Sequence, residues 1–167
     1  MSLSTILVSE IMIRDVKKAK DSEPVLYAIG LMAKHKISSV VIVDEQNKPV
    51  GIFTEKDAIR SISERERPLM LRLGSVMSSP LVTVSSSSSL STVLNLIAQK
   101  NINHLPVVEN EKLVGIITEK DIFRHVLRSI GSLQEIVEAS SQIPKQLIEK
   151  FGMEMVGTGV WPEPHRT

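Results

Sequence analysis

The chain has 167 residues and is 42% hydrophobic, which is typical of one compact domain with a continuous core. Its 20 lysines and arginines against 19 acidic residues leave a formal net charge of +1, so bulk charge attracts neither nucleic acid nor anionic lipid. The absence of cysteine excludes disulfides, thiolate zinc sites and a thiol nucleophile.

No part of the sequence predicts targeting or membrane insertion. The N-terminus lacks a basic start followed by an apolar signal core, so we expect a cytoplasmic protein. The longest apolar runs, such as Val40–Val43, are far too short to cross a bilayer and are typical of buried strands. Aromatic residues make up 3% of the chain, which with the balanced charge argues against nucleic-acid binding.

A first unit begins with an extended piece at Val16–Ala19, followed by a predicted helix. The apolar side chains of this helix recur at helical spacing and are Val25, Leu26, Ile29, Met32 and Ala33. Pro24 suits its first helical position. Two β-branched runs, Val40–Val43 and Val50–Thr54, then predict a hairpin, and a second helix opens at Glu55.

The same order of elements returns in the second half. An extended piece at Leu81–Val84 precedes Ser85–Ser89, which we interpret as a loop and helix cap rather than a flexible hinge. The next helix has an apolar stripe made of Leu90, Val93, Leu94, Ile97 and Ala98. A hairpin of Leu105–Val108 and Val114–Thr118 leads into a last helix that opens at Glu119.

The two units are copies of one repeat. Met12 matches Met77 at an offset of 65, and beyond the hairpin turn Val50–Asp57 lies over Val114–Asp121 at an offset of 64. We therefore predict an α/β (α+β) fold in which two β-α-β-β-α repeats pack as a pseudo-twofold pair, because neither could close its sheet alone. The predicted boundaries are 8–63 and 73–127 for the repeats, 64–72 for the linker, and 128–167 for a C-terminal helical extension with a loose tail.

Each repeat carries Thr-Glu-Lys-Asp where the second hairpin strand meets the last helix. Thr54 and Thr118 then lie beside unpaired N–H groups at the positive end of a helix, where a phosphate is favourably held. Asp57 and Asp121 can accept hydrogen bonds from two vicinal hydroxyls, which favours a ribose. The same residues also fit a capping box, in which hydroxyl and carboxylate satisfy backbone donors of the helix.

Further matched residues flank both motifs. Gly51 and Gly115 lack a Cβ and would let backbone or ligand approach closely. Lys56 and Lys120 are candidates for phosphate contacts, and they equally fit solvated helix lysines. Arg60 and Arg124 stand three residues after the aspartates, and this spacing predicts ion pairs on one helix face.

The doubled motif resembles the CBS-domain family, named after cystathionine β-synthase, whose repeat pairs are often called Bateman modules. The resemblance rests on Gly51–Asp57, Gly115–Asp121 and His104–Val108, and it spans about residues 8–127. It implies that the threonine contacts the phosphate and the aspartate the ribose hydroxyls of a bound nucleotide. The implied pairs are Thr54 with Asp57 and Thr118 with Asp121.

The resemblance also implies the second wall of each pocket, made by the segment that enters the hairpin of the other repeat. In these segments the candidates for phosphate contacts are Ser38, Ser39, Asn103 and His104. The candidates for enclosing the adenine base, for which core packing is an equal alternative, are Ile11, Met12, Ile37, Val76, Met77 and Ile102. Ser39 stands where the second repeat has His104, which predicts an asymmetric phosphate grip and allows for a single occupied site.

The sequence offers no catalytic or metal-binding constellation. Its four histidines, His35, His104, His125 and His165, show no ligand-pair spacing. It has no glycine-rich phosphate loop and no serine in an activated context. We therefore predict a non-catalytic protein without metal or required cofactor, and the resemblance implies an adenine nucleotide of the AMP, ADP or ATP class as regulatory ligand.

Beyond about residue 128 the resemblance ends. Apolar residues within Leu133–Val137 and Ile143–Phe151 predict one or two amphipathic helices, which either pack back on the repeats or contact another protein chain. The resemblance implies a homodimer. A second hypothesis is a protein-interaction module with empty clefts, whose C-terminal helices dock a regulated partner.

Overall fold

The computed structural model describes residues 3–129, 141–144 and 146, and it confirms the mixed α/β fold with two paired repeats. In chain order the elements are α1 (Val8–Ile11), β1 (Lys18–Lys20), α2 (Val25–His35), β2 (Ser39–Val43), β3 (Pro49–Thr54), α3 (Glu55–Glu64), α4 (Leu90–Lys100), β4 (His104–Glu109), β5 (Lys112–Thr118) and α5 (Glu119–Ser129). Between α3 and α4 lie two single 3-10 turns, Pro68–Met70 and Leu73–Ser75.

The β-hairpins are built alike in the two repeats. β2 pairs antiparallel with β3, and β4 with β5, and both ladders shift register at the matching points Ile42/Val43 and Val107/Val108. β1 adds parallel to β2, whereas the extended piece predicted at Leu81–Val84 makes one parallel bridge, from Val84 to Val107. All five residues of β2 are buried, as β-branched residues are in a strand covered on both faces.

The two hairpins meet through a small apolar cluster in which Val41, Ile52 and Ile116 are buried. Beside this cluster, Ile13 and Ile116 exchange two backbone hydrogen bonds, each with an N to O distance of 2.9 Å. Ser78 and Ile52 exchange the matching pair, at 2.8 and 3.2 Å. The second hairpin strand of each repeat is therefore bonded to the segment that leads the other repeat.

The segment that leads each repeat also completes the core of the other repeat. The leading residues of the chain that are buried in the second core are Leu3, Ile6, Val8 and Met12. Leu73 and Val76, which lead the second repeat, are buried in turn with Val25 and Phe53 of the first. Each hydrophobic core therefore contains residues from both sequence repeats, and the two halves form one folding unit.

The apolar stripe predicted for α4 is confirmed, and that predicted for α2 is partly wrong. The α4 side chains Leu90, Val93, Leu94 and Ile97 are buried. In α2 the buried face consists of Val25, Ala28 and Met32, whereas Leu26 is 52% exposed and Ala33 is also exposed. Because a helix turns by about 100° per residue, Leu26 and Ala33 share a face that is rotated away from Val25.

The starts of α2 and α4 are capped differently. Ser89 caps α4 as predicted, its Oγ accepting a hydrogen bond from Thr92 N at 3.3 Å. Pro24 stands at the N-cap of α2 rather than at the first helical position, and its side chain makes no cap hydrogen bond. The first helical N–H, that of Val25, donates instead to Leu71 O at 2.9 Å, so the predicted linker supplies the acceptor.

Part of the predicted C-terminal extension packs back on the repeats. Gln142 Oε1 accepts a hydrogen bond from Leu3 N at 2.8 Å, and Ile143 is partly buried against the second core. The rest of the predicted helices, at Leu133–Val137 and Leu147–Phe151, lies outside the described residues. Within the described ranges no helix is both long enough and apolar enough to span a membrane.

We expect Gly115→Ala to destabilise the fold by about 1–3 kcal/mol, the usual cost of overpacking a core. A Cβ at residue 115 would lie 2.6 Å from Met12 Sδ and 3.2 Å from Ile13 O, and the buried Met12 has little room to move. The control Gly30→Ala adds a methyl group with no described atom within 4 Å, on an exposed helix face.

Gly30→Ala should therefore leave stability unchanged or raise it by up to about 1 kcal/mol, since alanine is the better helix former. Urea denaturation of the three proteins measures both effects. Equal midpoints for Gly115→Ala and the wild type would contradict the close packing of Met12 on residue 115.

Candidate functional site

The two strand-to-helix turns are capped by their own threonine and aspartate. Thr54 N and Oγ1 donate to Asp57 Oδ2 at 2.9 and 2.8 Å, and Thr54 Oγ1 accepts from Asp57 N at 3.3 Å. Thr118 and Asp121 make the same three bonds, at 3.1, 2.5 and 3.3 Å. The capping-box interpretation is therefore confirmed in both repeats, and it occupies only one oxygen of each carboxylate.

The second oxygen, Oδ1, has different surroundings in the two repeats. Asp57 Oδ1 accepts from Arg60 Nη2 at 2.7 Å and from Ser78 Oγ at 3.0 Å, and the Asp57 side chain is 2% exposed. Asp121 Oδ1 is 3.5 Å from Arg124 Nη1, and the Asp121 side chain is 10% exposed. Both predicted ion pairs are present, but only Asp57 also receives a short bond from the other repeat's leading segment.

Each turn opens into a cleft whose opposite wall belongs to the other repeat. The first, which we call the Asp121 cleft, has a volume of about 1190 Å³ and is lined among others by Thr118, Lys120, Asp121, Ile37, Ser38 and Ser39. The second, the Asp57 cleft, has a volume of about 300 Å³ and is lined among others by Thr54, Lys56, Asp57, Ile102, Asn103 and His104. The structure thus brings the predicted turn residues and hairpin-entry residues together across the repeats.

Four of the six residues predicted to enclose a base line neither cleft. Met12 packs over Gly115 and Met77 over Gly51, so the glycines make room for methionine side chains rather than for a ligand. The four residues that pack in the two hydrophobic cores, as the core-packing alternative has it, are Ile11, Met12, Val76 and Met77. Val76 and Met77 also border a separate depression of about 100 Å³.

The next residue along the chain takes the place expected of the methionines. Ile13 lines the Asp121 cleft and Ser78 lines the Asp57 cleft. Both positions are held by the short ladders to Ile116 and Ile52. The repeat alignment contains this signal, since Ile13 follows Met12 as Ser78 follows its own methionine, but the sequence gives no reason to prefer one position over the other.

The Asp121 cleft is lined by both charged and apolar side chains. Its lining includes cationic side chains at Lys17, Lys36, Lys120 and Arg124, and anionic ones at Asp15, Glu55 and Asp121. Lys17 bonds to Asp15 at 2.7 Å, and this bond holds the pKa of the Asp15 carboxyl below its ordinary value. The apolar part of the lining includes Ile13, Val16, Ile29, Ile37 and Ile116. Such a lining can contact a ligand that combines an apolar ring with anionic oxygens.

His104 joins the two repeats where the clefts meet. Its Nε2 lies 2.8 Å from Ser38 Oγ, and both side chains line both clefts. Burial, aided by the charge of Lys120 and partly opposed by Asp121, lowers the pKa of His104 to about 4. The imidazole is therefore neutral near pH 7 and can contact a phosphate only as a hydrogen-bonding group, not as a cation.

Among the described residues no three histidine, aspartate or glutamate side chains are grouped so that they could hold a metal ion. The Asp57 carboxylate already accepts short hydrogen bonds from Arg60 and Ser78. Hydroxyl, carboxylate and cationic side chains line both clefts and can form hydrogen bonds and charge pairs with a ligand.

Comparison with known proteins identifies relatives of the whole repeat pair. A family model described as CBS domain matches residues 8–64 and 73–128. An uncharacterized protein of Methanopyrus kandleri is 33% identical over 135 residues, which cover 80% of this chain and 69% of that protein. The crystal structure of an uncharacterized conserved protein from Pyrococcus horikoshii is similar with a TM-score of 0.71 at 26% identity, covering 79% of this chain and 99% of that one.

A further solved relative was crystallised with ligands. The CBS domain pair of protein MJ0100, in complex with 5′-methylthioadenosine and S-adenosyl-L-methionine, has a TM-score of 0.69 at 26% identity. The similarity covers 75% of this chain and 98% of that one.

We expect the stability of the protein to fall as the pH drops through the range set by His104. Its pKa is about 4 in the folded chain and 6.5 ordinarily, so between these values the unfolded chain binds more protons. Replacing the imidazole by an amide in His104→Gln should remove up to about 3 kcal/mol of that acid destabilisation.

Denaturant titration at about pH 7 and about pH 4.5 measures the effect as a difference between two pH values. Asn103→Gln alters a neighbouring side chain without changing a titratable group, so it should keep the wild-type pH dependence. If His104→Gln also kept that dependence, the buried neutral imidazole would be ruled out.

Proposed function

We propose that this chain, which belongs to the CBS domain family as a tandem pair, binds an adenine nucleotide or nucleoside in the Asp121 cleft. A CBS domain pair is a regulatory module, and the proposal assigns its ligand and its site. The function proposed is non-catalytic: occupancy of the cleft shifts the relative orientation of the repeats through different affinities for the two arrangements.

The observation that carries the proposal is the free coordination of Asp121 Oδ1. The described contact of this oxygen is with Arg124 Nη1 at 3.5 Å, which is a long ion pair. A carboxylate oxygen has two lone pairs, so Oδ1 can accept from the vicinal hydroxyls of a ribose while Oδ2 keeps its capping bonds to Thr118. Hydrogen bonds to an ionised acceptor are about twice as strong as neutral ones.

The start of α5 supports a phosphate beside the ribose. Thr118 is the last residue of β5, and the following backbone N–H groups lie at the positive end of an 11-residue helix. Lys120 lines the same cleft, and Ser38 and Ser39 face it from the first repeat. Hydroxyl and ammonium donors on both walls suit phosphate oxygens that bridge the repeats.

The apolar part of the lining supports the adenine. Ile13 is 46% exposed although it is a large aliphatic residue next to a buried core, and it lines the cleft with Ile37 and Ile116. A flat aromatic base would cover these side chains and remove their apolar surface from water. The MJ0100 domain pair, whose two ligands both carry adenosine, lends support from a relative.

We expect calorimetric titration with AMP, ADP, ATP, S-adenosylmethionine and 5′-methylthioadenosine to show binding of at least one compound. Asp121→Ala should weaken that binding by about tenfold to a hundredfold, the usual effect of losing hydrogen bonds to a charged group. The 2′-deoxy form of the bound compound should lose affinity for wild type and lose little more for Asp121→Ala.

Glu45→Gln removes an exposed carboxylate from the first hairpin turn and serves as the control with wild-type affinity. No heat with any of the five compounds would overturn the proposal. A pull-down that depends on residues 129–167 and ignores nucleotide would then favour the protein-interaction module.

We also propose that two copies pair through α3 and α5. Ile59 and Ile62 on α3 are 68% and 57% exposed, and Leu127 on α5 is 55% exposed. Exposed aliphatic residues are typical of self-association surfaces, and a second copy presents the same residues about a twofold axis. Ile59 and Ile62 also line the Asp121 cleft, so the proposed contact adjoins the proposed ligand site.

Sedimentation of the wild type should accordingly give a dimer, and Leu127→Glu should shift it to the monomer because a carboxylate would be buried at the contact. Leu26→Glu alters a leucine of similar exposure, 52%, on α2 and should remain dimeric. A monomeric wild type, or equal dimerisation of both variants, would contradict pairing through α5.

A further inference from the structure

We infer that Ser78 closes the Asp57 cleft to ribose, so that one nucleoside-type ligand binds per chain, in the Asp121 cleft. The inference rests on the proposed function and adds the residue that decides between two otherwise matching sites. It depends on how many hydrogen bonds each of the two equivalent aspartates, Asp57 and Asp121, already accepts within the protein.

The Asp57 carboxylate is saturated by the protein itself. Oδ2 accepts from Thr54 N and Thr54 Oγ1, while Oδ1 accepts from Arg60 Nη2 and Ser78 Oγ. These four bonds, between 2.7 and 3.0 Å long, match the capacity of a carboxylate, which offers about four lone-pair positions. The side chain is 2% exposed, so a ribose hydroxyl could bond to it only by displacing one of these partners.

Among the described residues Asp121 has no partner that matches Ser78, because the two repeats differ at this position. Ile13 and Ser78 occupy equivalent places, each bonded through its backbone to the second hairpin strand of the other repeat, at Ile116 and Ile52. Ser78 carries a hydroxyl donor, whereas the Ile13 side chain has none. Oδ1 of Asp121 therefore keeps capacity for a ligand.

The backbone of Ser78 places its hydroxyl beside Asp57. Ser78 N and O both bond to the backbone of Ile52, at 2.8 and 3.2 Å, so the Cα of Ser78 stays next to the carboxylate while the repeats are paired. A ribose in the Asp57 cleft would have to replace a hydrogen bond that is already formed, and the exposed Ser78 hydroxyl would then turn to water. In the Asp121 cleft a ribose would not compete with Ile13 for the carboxylate, because the Ile13 side chain has no hydrogen-bonding group.

The position of Arg60 and the volumes of the two clefts also favour ligand binding at Asp121 over binding at Asp57. Arg60 Nη2 bonds both to Asp57 Oδ1 and to Val76 O, the latter at 3.2 Å, which fixes the guanidinium over the carboxylate. Arg124 makes the single long contact to Asp121. The Asp57 cleft measures about 300 Å³ against about 1190 Å³ for the Asp121 cleft, so less room remains where the carboxylate is saturated.

The test is the stoichiometry of binding, measured by calorimetry with AMP and with 5′-methylthioadenosine. We expect one site per chain in the wild type and a second site in Ser78→Ala, whose affinity rises by about tenfold or more when the competing donor is removed. Adding Asp57→Asn to Ser78→Ala should return the stoichiometry to one. Ser78→Ile, which copies the residue of the other repeat, should behave like Ser78→Ala.

The matched control is Ser75→Ala, since Ser75 Oγ donates to Arg72 O at 2.7 Å and lines neither cleft. It should keep one site. Two equal sites in the wild type, or a single site in both Ser78 variants, would overturn the role of Ser78 and leave the proposed function standing. No site in the wild type would overturn both, and so would a wild-type site whose affinity is unchanged by Asp121→Ala.

Discussion

Both clefts exist because the second hairpin strand of each repeat is hydrogen-bonded to the segment that leads the other. The Ile13–Ile116 and Ser78–Ile52 ladders, with the apolar cluster between the hairpins, set how far apart the two halves lie. Each turn at the end of such a strand therefore faces the hairpin entry of the opposite repeat. A repeat alone would lack both a closed core and the second wall of its cleft.

Within this frame the two oxygens of each turn aspartate have separate roles. Oδ2 caps the following helix in both repeats and so stabilises the turn without any ligand. Oδ1 is bonded within the protein at Asp57 and largely uncommitted at Asp121. A structural and a binding interpretation of the same motif are thus compatible, because a carboxylate has acceptor positions for both.

Local patterns predicted much of this structure, and tertiary contacts decided the rest. The repeat, the hairpins and the caps at Ser89 and Thr54 follow from short-range signals that depend on neighbouring residues. Met12, predicted to contact a base, packs at Gly115, and its neighbour Ile13 lines the cleft, since neighbouring side chains point to opposite sides of an extended segment. The low pKa of His104 and the exposure of Leu26 depend on what packs against them, which no local pattern contains.

The exchange of leading segments also has a consequence for synthesis on the ribosome. Ile6 is made before its hydrogen-bond partner, because Leu90 N donates to Ile6 O at 3.0 Å. Until Leu90 has been made, the apolar side chains of Leu3, Ile6 and Val8 lack the second-repeat core in which they are buried. Contacts between residues so far apart along the chain slow folding relative to proteins with local contacts, and apolar surface stays exposed during that time.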